Sequence, residues 1–106
     1  MHNIRVDNIR TYKPGANEIS IKVDRSTPLG NPYYMNDENE RDKVCDKYAA
    51  YLTASYNTKT DIADELNRIT DALNHSDVVL LCWCYPKRCH AEEIIKLIKE
   101  KLCIVN

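Results

Sequence analysis

The segment DVVLLCWC at residues 77–84 constrains the fold of this chain more than any other part of it. After its aspartate the segment is continuously apolar, and it begins with two β-branched valines. It is far too short to cross a bilayer. An apolar run of this length is typical of a strand that is buried on both faces, as in the centre of a parallel sheet. We therefore expect residues 77–84 to form the central strand of an α/β domain.

The remaining sequence supplies partners for that strand. Helices are indicated by apolar residues at three- and four-residue spacing, and strands by short alternating or β-branched runs. Strands are predicted at 3–6, 18–24 and 103–106, and helices at 40–56, 60–74 and 91–102. The order β-β-α-α-β-α-β predicts one domain over residues 1–106, a small three-layer α/β domain with a mostly parallel sheet.

Charge and cysteine content narrow the class of protein. The chain has 15 Lys and Arg against 16 Asp and Glu, which disfavours a strong sequence-independent grip on nucleic acid. No apolar run resembles a signal peptide or a membrane span. An odd count of five cysteines then indicates free thiols or metal ligands in a reducing compartment. We expect a cytoplasmic protein that does not contact membranes.

A cysteine and histidine cluster follows the predicted central strand. Cys82, Cys84, Cys89 and His90 lie within nine positions. Three cysteines and one histidine are a common structural zinc set, although the spacing here is not the usual one. Cysteines at strand ends are also often plain core residues. Zinc is thus a candidate cofactor, with core packing as the simpler explanation.

The same segment also has the features of an anion or thiol site. Cys89 lies at the start of the last predicted helix, with Lys87, Arg88 and His90 beside it. A helix N-terminus and nearby cations lower the pKa of a thiol and also favour a bound phosphate. On this interpretation Cys89 and His90 are the candidate catalytic residues, and Lys87 and Arg88 are candidate ligand-binding residues.

A second polar stretch, RSTPLGNPY at residues 25–33, opens a loop of 16 residues. Loops of this length in compact domains are often binding loops. An arginine here can meet a phosphate or carboxylate, a glycine lets the backbone approach a ligand, and tyrosines, including Tyr34, can stack on a flat ring. The candidate ligand-binding residues of this stretch are Arg25, Ser26, Gly30, Asn31 and Tyr33.

These two stretches are expected to meet. Each follows a predicted strand, and ligands of parallel sheets bind beyond the carboxyl ends of the strands. If the strands at 18–24 and 77–84 are parallel neighbours, both loops lie at the same edge of the sheet. The sequence therefore predicts one site built from both loops.

Together the two stretches resemble the family called domain of unknown function 4326, which contains small proteins of phages and bacteria. The family pattern combines P-L-G-N-P before an aromatic residue, a helix with arginine and spaced aromatics, and C-x-C-x-P-x-x-C-H before the last helix. The matching parts are RSTPLGNPY at 25–33, Arg41 with Tyr48 and Tyr51-Leu52, and CWCYPKRCH at 82–90. One departure is Ala91, where the pattern has glycine. The resemblance implies that both loops form one site, but it implies no activity.

Two functional hypotheses follow. In the first, the site binds a nucleotide or another anionic small molecule and possesses the groups to process it. In the alternative, the chain is a non-enzymatic phage or bacterial interaction protein, with a host protein as its partner and a structural zinc held by Cys82, Cys84, Cys89 and His90. Binding to nucleic acid is a third and disfavoured interpretation. The sequence does not define the oligomeric state.

Overall fold

The computed structural model describes residues 2–58 and 60–102. Within them, three strands form one parallel sheet in the order β1-β3-β2. The strands are β1 (Ile4–Asn8), β2 (Glu18–Lys22) and β3 (Asp77–Cys82). The apolar run is therefore the central strand, as predicted, and both of its neighbours run parallel to it. The predicted strand at 103–106 lies outside the described residues.

Three α-helices complete the domain, and they follow the predicted helices closely. A 3-10 turn precedes the first helix and a π-helical turn follows the last. The helices are α1 (Arg41–Thr58), α2 (Thr60–Leu73) and α3 (His90–Leu97), and the turns are Glu38–Glu40 and Ile98–Leu102. The predicted α/β class with a parallel sheet is confirmed. Within 2–58 and 60–102, no helix has the length and apolar character needed to cross a membrane.

The register of the sheet explains why β3 is apolar at every position after Asp77. Leu80 lies in register with Val6 and Ile21, and all three are buried in the main hydrophobic core. Val79 and Leu81 face the opposite side of the sheet and are buried as well. Full burial of one such side chain contributes roughly 1.5–3 kcal/mol. Both faces of β3 thus stabilise the domain, which a strand with alternating polar residues could not do.

The central strand ends two residues earlier than predicted. It stops at Cys82, and the side-chain amide of Asn8 donates to the carbonyls of Trp83 (3.1 Å) and Tyr85 (2.9 Å). The end of β1 therefore holds the chain as it leaves the sheet. As a result Cys84 does not continue the strand on the same face as Cys82, as a strand through residue 84 would require.

Candidate functional site: a cleft beyond the carboxyl ends of β2 and β3

A cleft of ≈ 280 Å³ lies where the loop after β2 meets the segment after β3. The two loops meet because β2 and β3 are parallel neighbours, so that both strands end at the same edge of the sheet. Most of the predicted site residues line the cleft. They are Arg25, Asn31, Tyr33, Cys82, Cys84, Arg88, Cys89 and His90.

Ser26 and Lys87, predicted to bind a ligand, are not among the lining residues. The Ser26 hydroxyl donates to Oδ1 of Asp24 at 2.5 Å, and this bond lowers the pKa of Asp24. The Lys87 ammonium lies 3.4 Å from Oε1 of Glu38. Both side chains are therefore engaged in fixing the loops in this structure.

Gly30 also does not line the cleft. This position requires glycine for a local reason. A Cβ atom at this position would lie 2.4 Å from Cα of Arg25 and 2.6 Å from the carbonyl oxygen of Asp24. Real Cβ atoms do not approach backbone atoms so closely. The close backbone approach that glycine allows at position 30 is thus made to the chain itself, just after β2. It shapes the side of the cleft formed by the loop after β2, which we call the β2 wall.

Arg25 is positioned by neutral groups. Its Nε donates to the carbonyl of Asn31 at 2.8 Å, and one Nη donates to the carbonyl of Tyr33 at 2.9 Å. The guanidinium also lies 4.2 Å from the centre of the Tyr34 ring. A guanidinium has five N–H groups, so these two bonds leave donors for a further partner. Arg25 is thus an oriented cation whose partners carry no negative charge.

Arg88 is positioned by charged groups instead. Its two Nη atoms lie 3.0 Å from carboxylate oxygens of Asp42, Asp46 and Glu93. These hydrogen bonds raise the pKa of Arg88 above its ordinary value. Three carboxylates around one guanidinium leave little positive charge for a ligand. Arg88 therefore lines the cleft mainly as the link between α1 and α3.

Arg41, at the start of α1, also lines the cleft. It forms a bidentate pair with Glu38, and its Nη1 donates to the carbonyl of Arg88 at 2.9 Å. The bond to Glu38 raises the pKa of Arg41, with a smaller contribution from Cys84, and it lowers the pKa of Glu38 to about 2. Arg41 thus carries one carboxylate partner and lies beside a thiol of the cleft.

Aromatic side chains form the rim. Tyr34 is 74% exposed and Trp83 is 54% exposed, and both line the cleft. The indole Nε1 of Trp83 donates to Oδ2 of Asp24 at 3.1 Å, which ties the two loops together across the cleft mouth. Tyr33 packs edge-on against Tyr51 with ring centroids 6.0 Å apart. The rings presented to an incoming flat ligand are therefore Tyr34 and Trp83.

Two cysteines meet at the floor. The Sγ atoms of Cys82 and Cys89 lie 2.9 Å apart, at the end of β3 and just before α3. The thiol of Cys89 and the backbone N–H groups of Cys84 and Tyr85 lower the pKa of Cys82 below its ordinary value. The pKa of Cys89 is raised because its proton is held against the Cys82 sulfur and because it is buried. The first thiolate of the pair is thus expected on Cys82 rather than on Cys89.

His90 is buried beside this pair. Its Nε2 donates to the carbonyl of Val23 at 2.5 Å, and its ring packs edge-on against Tyr48 at 5.0 Å. Burial lowers the pKa of His90, so the neutral ring is favoured. Since Nε2 carries the proton, Nδ1 is the nitrogen left to accept one.

The candidate zinc set does not converge in this structure. Within residues 2–58 and 60–102, no three His, Cys, Asp or Glu side chains are arranged to hold a metal ion. Nε2 of His90 is engaged with Val23, and Cys84 has left the face of the strand that carries Cys82. The geometry favours a thiol pair over a four-ligand zinc site.

Arg41 and Trp83 line the cleft but were not among the predicted site residues. Arg41 was noted only as part of the family pattern, and its place in the first turn of the first helix gave no sign that it would reach the segment after β3. Trp83 was assigned to the central strand, where its side chain would have been buried. Because the strand ends at Cys82, the indole lies on the rim instead.

Comparison with known proteins agrees with the motif resemblance. Searches of curated proteins and of solved structures gave no match. The sequence profile of the family described as Domain of unknown function (DUF4326) matches residues 7–100, which includes β2, β3, all three helices and every residue of the cleft. The chain therefore belongs to the DUF4326 family.

Proposed function

We propose that the cleft binds a small anionic molecule of the nucleotide type. The observation that carries this proposal is that Arg25, a cation held by neutral carbonyls, lies on the same cleft as the exposed rings of Tyr34 and Trp83. A nucleotide offers the two complementary parts, a phosphate for the cation and a base for the rings.

The charges around the cleft favour an anion. Four charged side chains line it, of which three are arginines and one is Asp24. The carboxylate of Asp24 already accepts from Ser26 and Trp83, so it is not directed at the cleft alone. Of the three arginines, Arg25 has neutral partners, and it can therefore offer its full charge to a phosphate or carboxylate.

The rim and the volume favour a ligand with one flat ring. Stacking of one base on an aromatic side chain contributes about 1–3 kcal/mol. Tyr34 and Trp83 are both exposed residues. A guanidinium, of Arg25 and Arg10 respectively, lies over one face of each ring, which leaves the other face for a base. The volume of ≈ 280 Å³ lies near the lower end of ordinary small-molecule sites, which run from roughly 300 to 1,000 Å³. A mononucleotide suits such a cleft better than a dinucleotide.

We propose binding at this cleft without a reaction. Cys89 and His90 remain the predicted reactive groups, but both are engaged with the protein, Cys89 with Cys82 and His90 with Val23. A catalytic role would require a ligand that displaces one of these bonds. The binding step can be tested first and by itself.

Trp83 provides the assay, because it is the single tryptophan of the chain and lies on the rim. Its fluorescence is recorded while nucleoside mono-, di- and triphosphates, nucleosides and inorganic phosphate are added. We expect quenching by at least one nucleotide at lower concentration than by its nucleoside. A chain whose fluorescence and melting temperature respond to none of these compounds would contradict the proposal.

Variants locate the binding. Removing a charge-assisted hydrogen bond costs about 1.5–3 kcal/mol, so Arg25→Ala is expected to weaken nucleotide binding by roughly 10- to 100-fold. Arg68→Ala is the matched control, since Arg68 is an exposed arginine on α2 that pairs with Glu65 and does not line the cleft. Thermal unfolding of each variant separates lost binding from lost structure. Equal affinity in a folded Arg25→Ala variant would refute the assignment.

A further inference from the structure

We propose that Cys82 and Cys89 form a redox-active dithiol, which hydroperoxides oxidise to a disulfide at the floor of the cleft. The pair joins the end of β3 to the residue before α3. This inference concerns a modification site and does not depend on what the cleft binds. It rests on the positions of the two sulfur atoms and on their place in the lining of the cleft.

The sulfur atoms are already close to bonding distance. The Sγ atoms of Cys82 and Cys89 are 2.9 Å apart, and a disulfide bond is about 2.05 Å long. They need to approach by less than roughly 1 Å. The seven-residue separation along the chain is already closed by the turn after β3, so no larger rearrangement of the backbone is needed to bring the sulfurs together.

The burial of the pair limits which oxidants can reach it. Cys82 is 1% exposed and Cys89 is 2% exposed, yet both line the cleft. A molecule as small as hydrogen peroxide can reach the floor of a cleft of this volume. A bulky disulfide such as oxidised glutathione would have to displace the rim first. We therefore assign the oxidant to the hydroperoxide class.

The reaction balances in two steps. The Cys82 thiolate attacks one oxygen of hydrogen peroxide, the O–O bond breaks, and Cys82 becomes a sulfenic acid as hydroxide leaves and takes up a proton. The sulfur of Cys89 then attacks the Cys82 sulfur, and the S–O bond breaks. Hydroxide leaves and takes the proton of Cys89 to form water. Two thiols are oxidised to one disulfide, and the peroxide is reduced to two waters.

Two other cysteines lie on the same cleft and give the natural comparison. Cys45 is buried on α1, and Cys84 is half-buried in the segment after β3. Within residues 2–58 and 60–102, neither forms a sulfur–sulfur contact like that of the pair. Oxidation of an isolated thiol stops at the sulfenic acid or continues to higher acids, whereas a paired thiol resolves to a disulfide. Disulfides of this reversible kind are the ones expected in reducing compartments.

The test is peptide mapping of the full chain after oxidation. Reduced protein is treated with hydrogen peroxide, the remaining thiols are alkylated, and the chain is cut with trypsin. Cleavage after Arg68, Lys87, Arg88 and Lys96 places Cys82 and Cys84 in peptide 69–87 and Cys89 in peptide 89–96. We expect these two peptides to be joined, and dithiothreitol to separate them. Oxidised glutathione, added in a parallel sample, is expected to join them far more slowly.

Variants assign the bond, since Cys84 shares a peptide with Cys82. Cys84→Ser should retain the joined peptides, and Cys82→Ser should lose them. Absence of the joined peptides in oxidised wild-type protein would overturn the proposal even if a variant fails to fold. A link that survives in folded Cys82→Ser would assign the bond to Cys84 and would also overturn it. Oxidation by glutathione disulfide alone would overturn the assignment to hydroperoxides.

Discussion

The loop after β2 and the segment after β3 face each other across one cleft, but they are fixed by bonds of different kinds. The β2 loop is held by hydrogen bonds to neutral backbone carbonyls, donated by Arg25, Tyr48 and His90. The segment after β3 is held to α1 chiefly by the ion pairs of Arg88 with Asp42 and Asp46, while Arg41 donates to the carbonyl of Arg88. Arg25 and Arg88, which looked equivalent in the sequence, thus lie in opposite electrostatic surroundings.

This difference shows that a charged arginine in a cleft does not always have charge to offer to a ligand. Arg25 keeps its full charge because carbonyl oxygens orient it without neutralising it. The charge of Arg88 is cancelled by the carboxylates that orient it. Neutral bonds of buried groups also resist salt, whereas ion pairs between exposed groups are screened. The two walls should therefore respond differently to substitution, pH and ionic strength.

The largest expected effect is on the β2 wall, at Gly30. In Gly30→Ala the new Cβ would meet backbone atoms of Asp24 and Arg25, which cannot move like the end of a side chain. We expect a loss of about 3 kcal/mol in the free energy of unfolding, measured by urea denaturation. Gly15→Ala is the control, because its Cβ would meet only the flexible Glu18 side chain at 3.2 Å. Equal stability of the two variants would contradict this account of the wall.

The next effect tests a neutral bond directly. Tyr48 is fully buried, and its hydroxyl donates to the carbonyl of Leu29 at 2.7 Å. Tyr48→Phe leaves that carbonyl unsatisfied, which should lower the free energy of unfolding by about 1–3 kcal/mol. The loss should be nearly the same at low and high salt. Tyr34→Phe, at an exposed ring, should change stability by less than about 0.5 kcal/mol.

His90 makes the β2 wall sensitive to acid. Burial lowers the pKa of His90 in the folded state, so below pH 6.5, the ordinary pKa of histidine, the unfolded chain binds a proton that the folded chain does not. Stability should therefore fall as pH drops below 6.5, with a slope from this group of at most about 1.4 kcal/mol per pH unit. The His90→Gln variant, which can still donate to Val23 but cannot titrate, should show a flatter profile. His75→Gln, at an exposed position, should keep the slope of the parent.

The smallest effect on stability is expected in the segment after β3, the side of the cleft held by the ion pairs of Arg88. Arg88→Met keeps the aliphatic stem and removes the pairs with Asp42, Asp46 and Glu93. Since pairs of this exposure contribute about 0.2–1 kcal/mol each, we expect a loss of about 1 kcal/mol at low salt. The loss should shrink in 1 M salt. Arg68→Met, which removes one exposed pair, is the control for a generic loss of charge, and a salt-independent loss in Arg88→Met would contradict the comparison.

The sequence was sufficient to predict the scaffold of the site. The apolar run from Val78 marks a strand buried on both faces, and the loops at 25–33 and 82–90 follow strands that turned out to be parallel neighbours. The meeting of these loops follows from that one relation. It could be foreseen because hydrophobic periodicity reflects burial, which governs the sheet and the helices alike.

What the sequence did not contain was the pairing of side chains. Nothing in the local pattern distinguishes Arg25 from Arg88, since two of the carboxylate partners of Arg88, Asp42 and Asp46, come from α1, more than 40 positions away. The strand end at Cys82 depends on Asn8 in β1, and it decides that Trp83 is exposed. These long-range contacts set the charge and the rim of the cleft, and no pattern of spacing encodes them.

The strand order also has a consequence for how the chain is made. Among residues 2–58 and 60–102, both outer strands bond to β3 alone, which begins at Asp77, so β1 and β2 lack this partner until β3 has left the ribosome. Pairings so distant along the chain form slowly and leave unpaired strand edges exposed until they do. Because β3 also carries the cleft floor, the described sheet and the cleft can be completed only together, once β3 has been made.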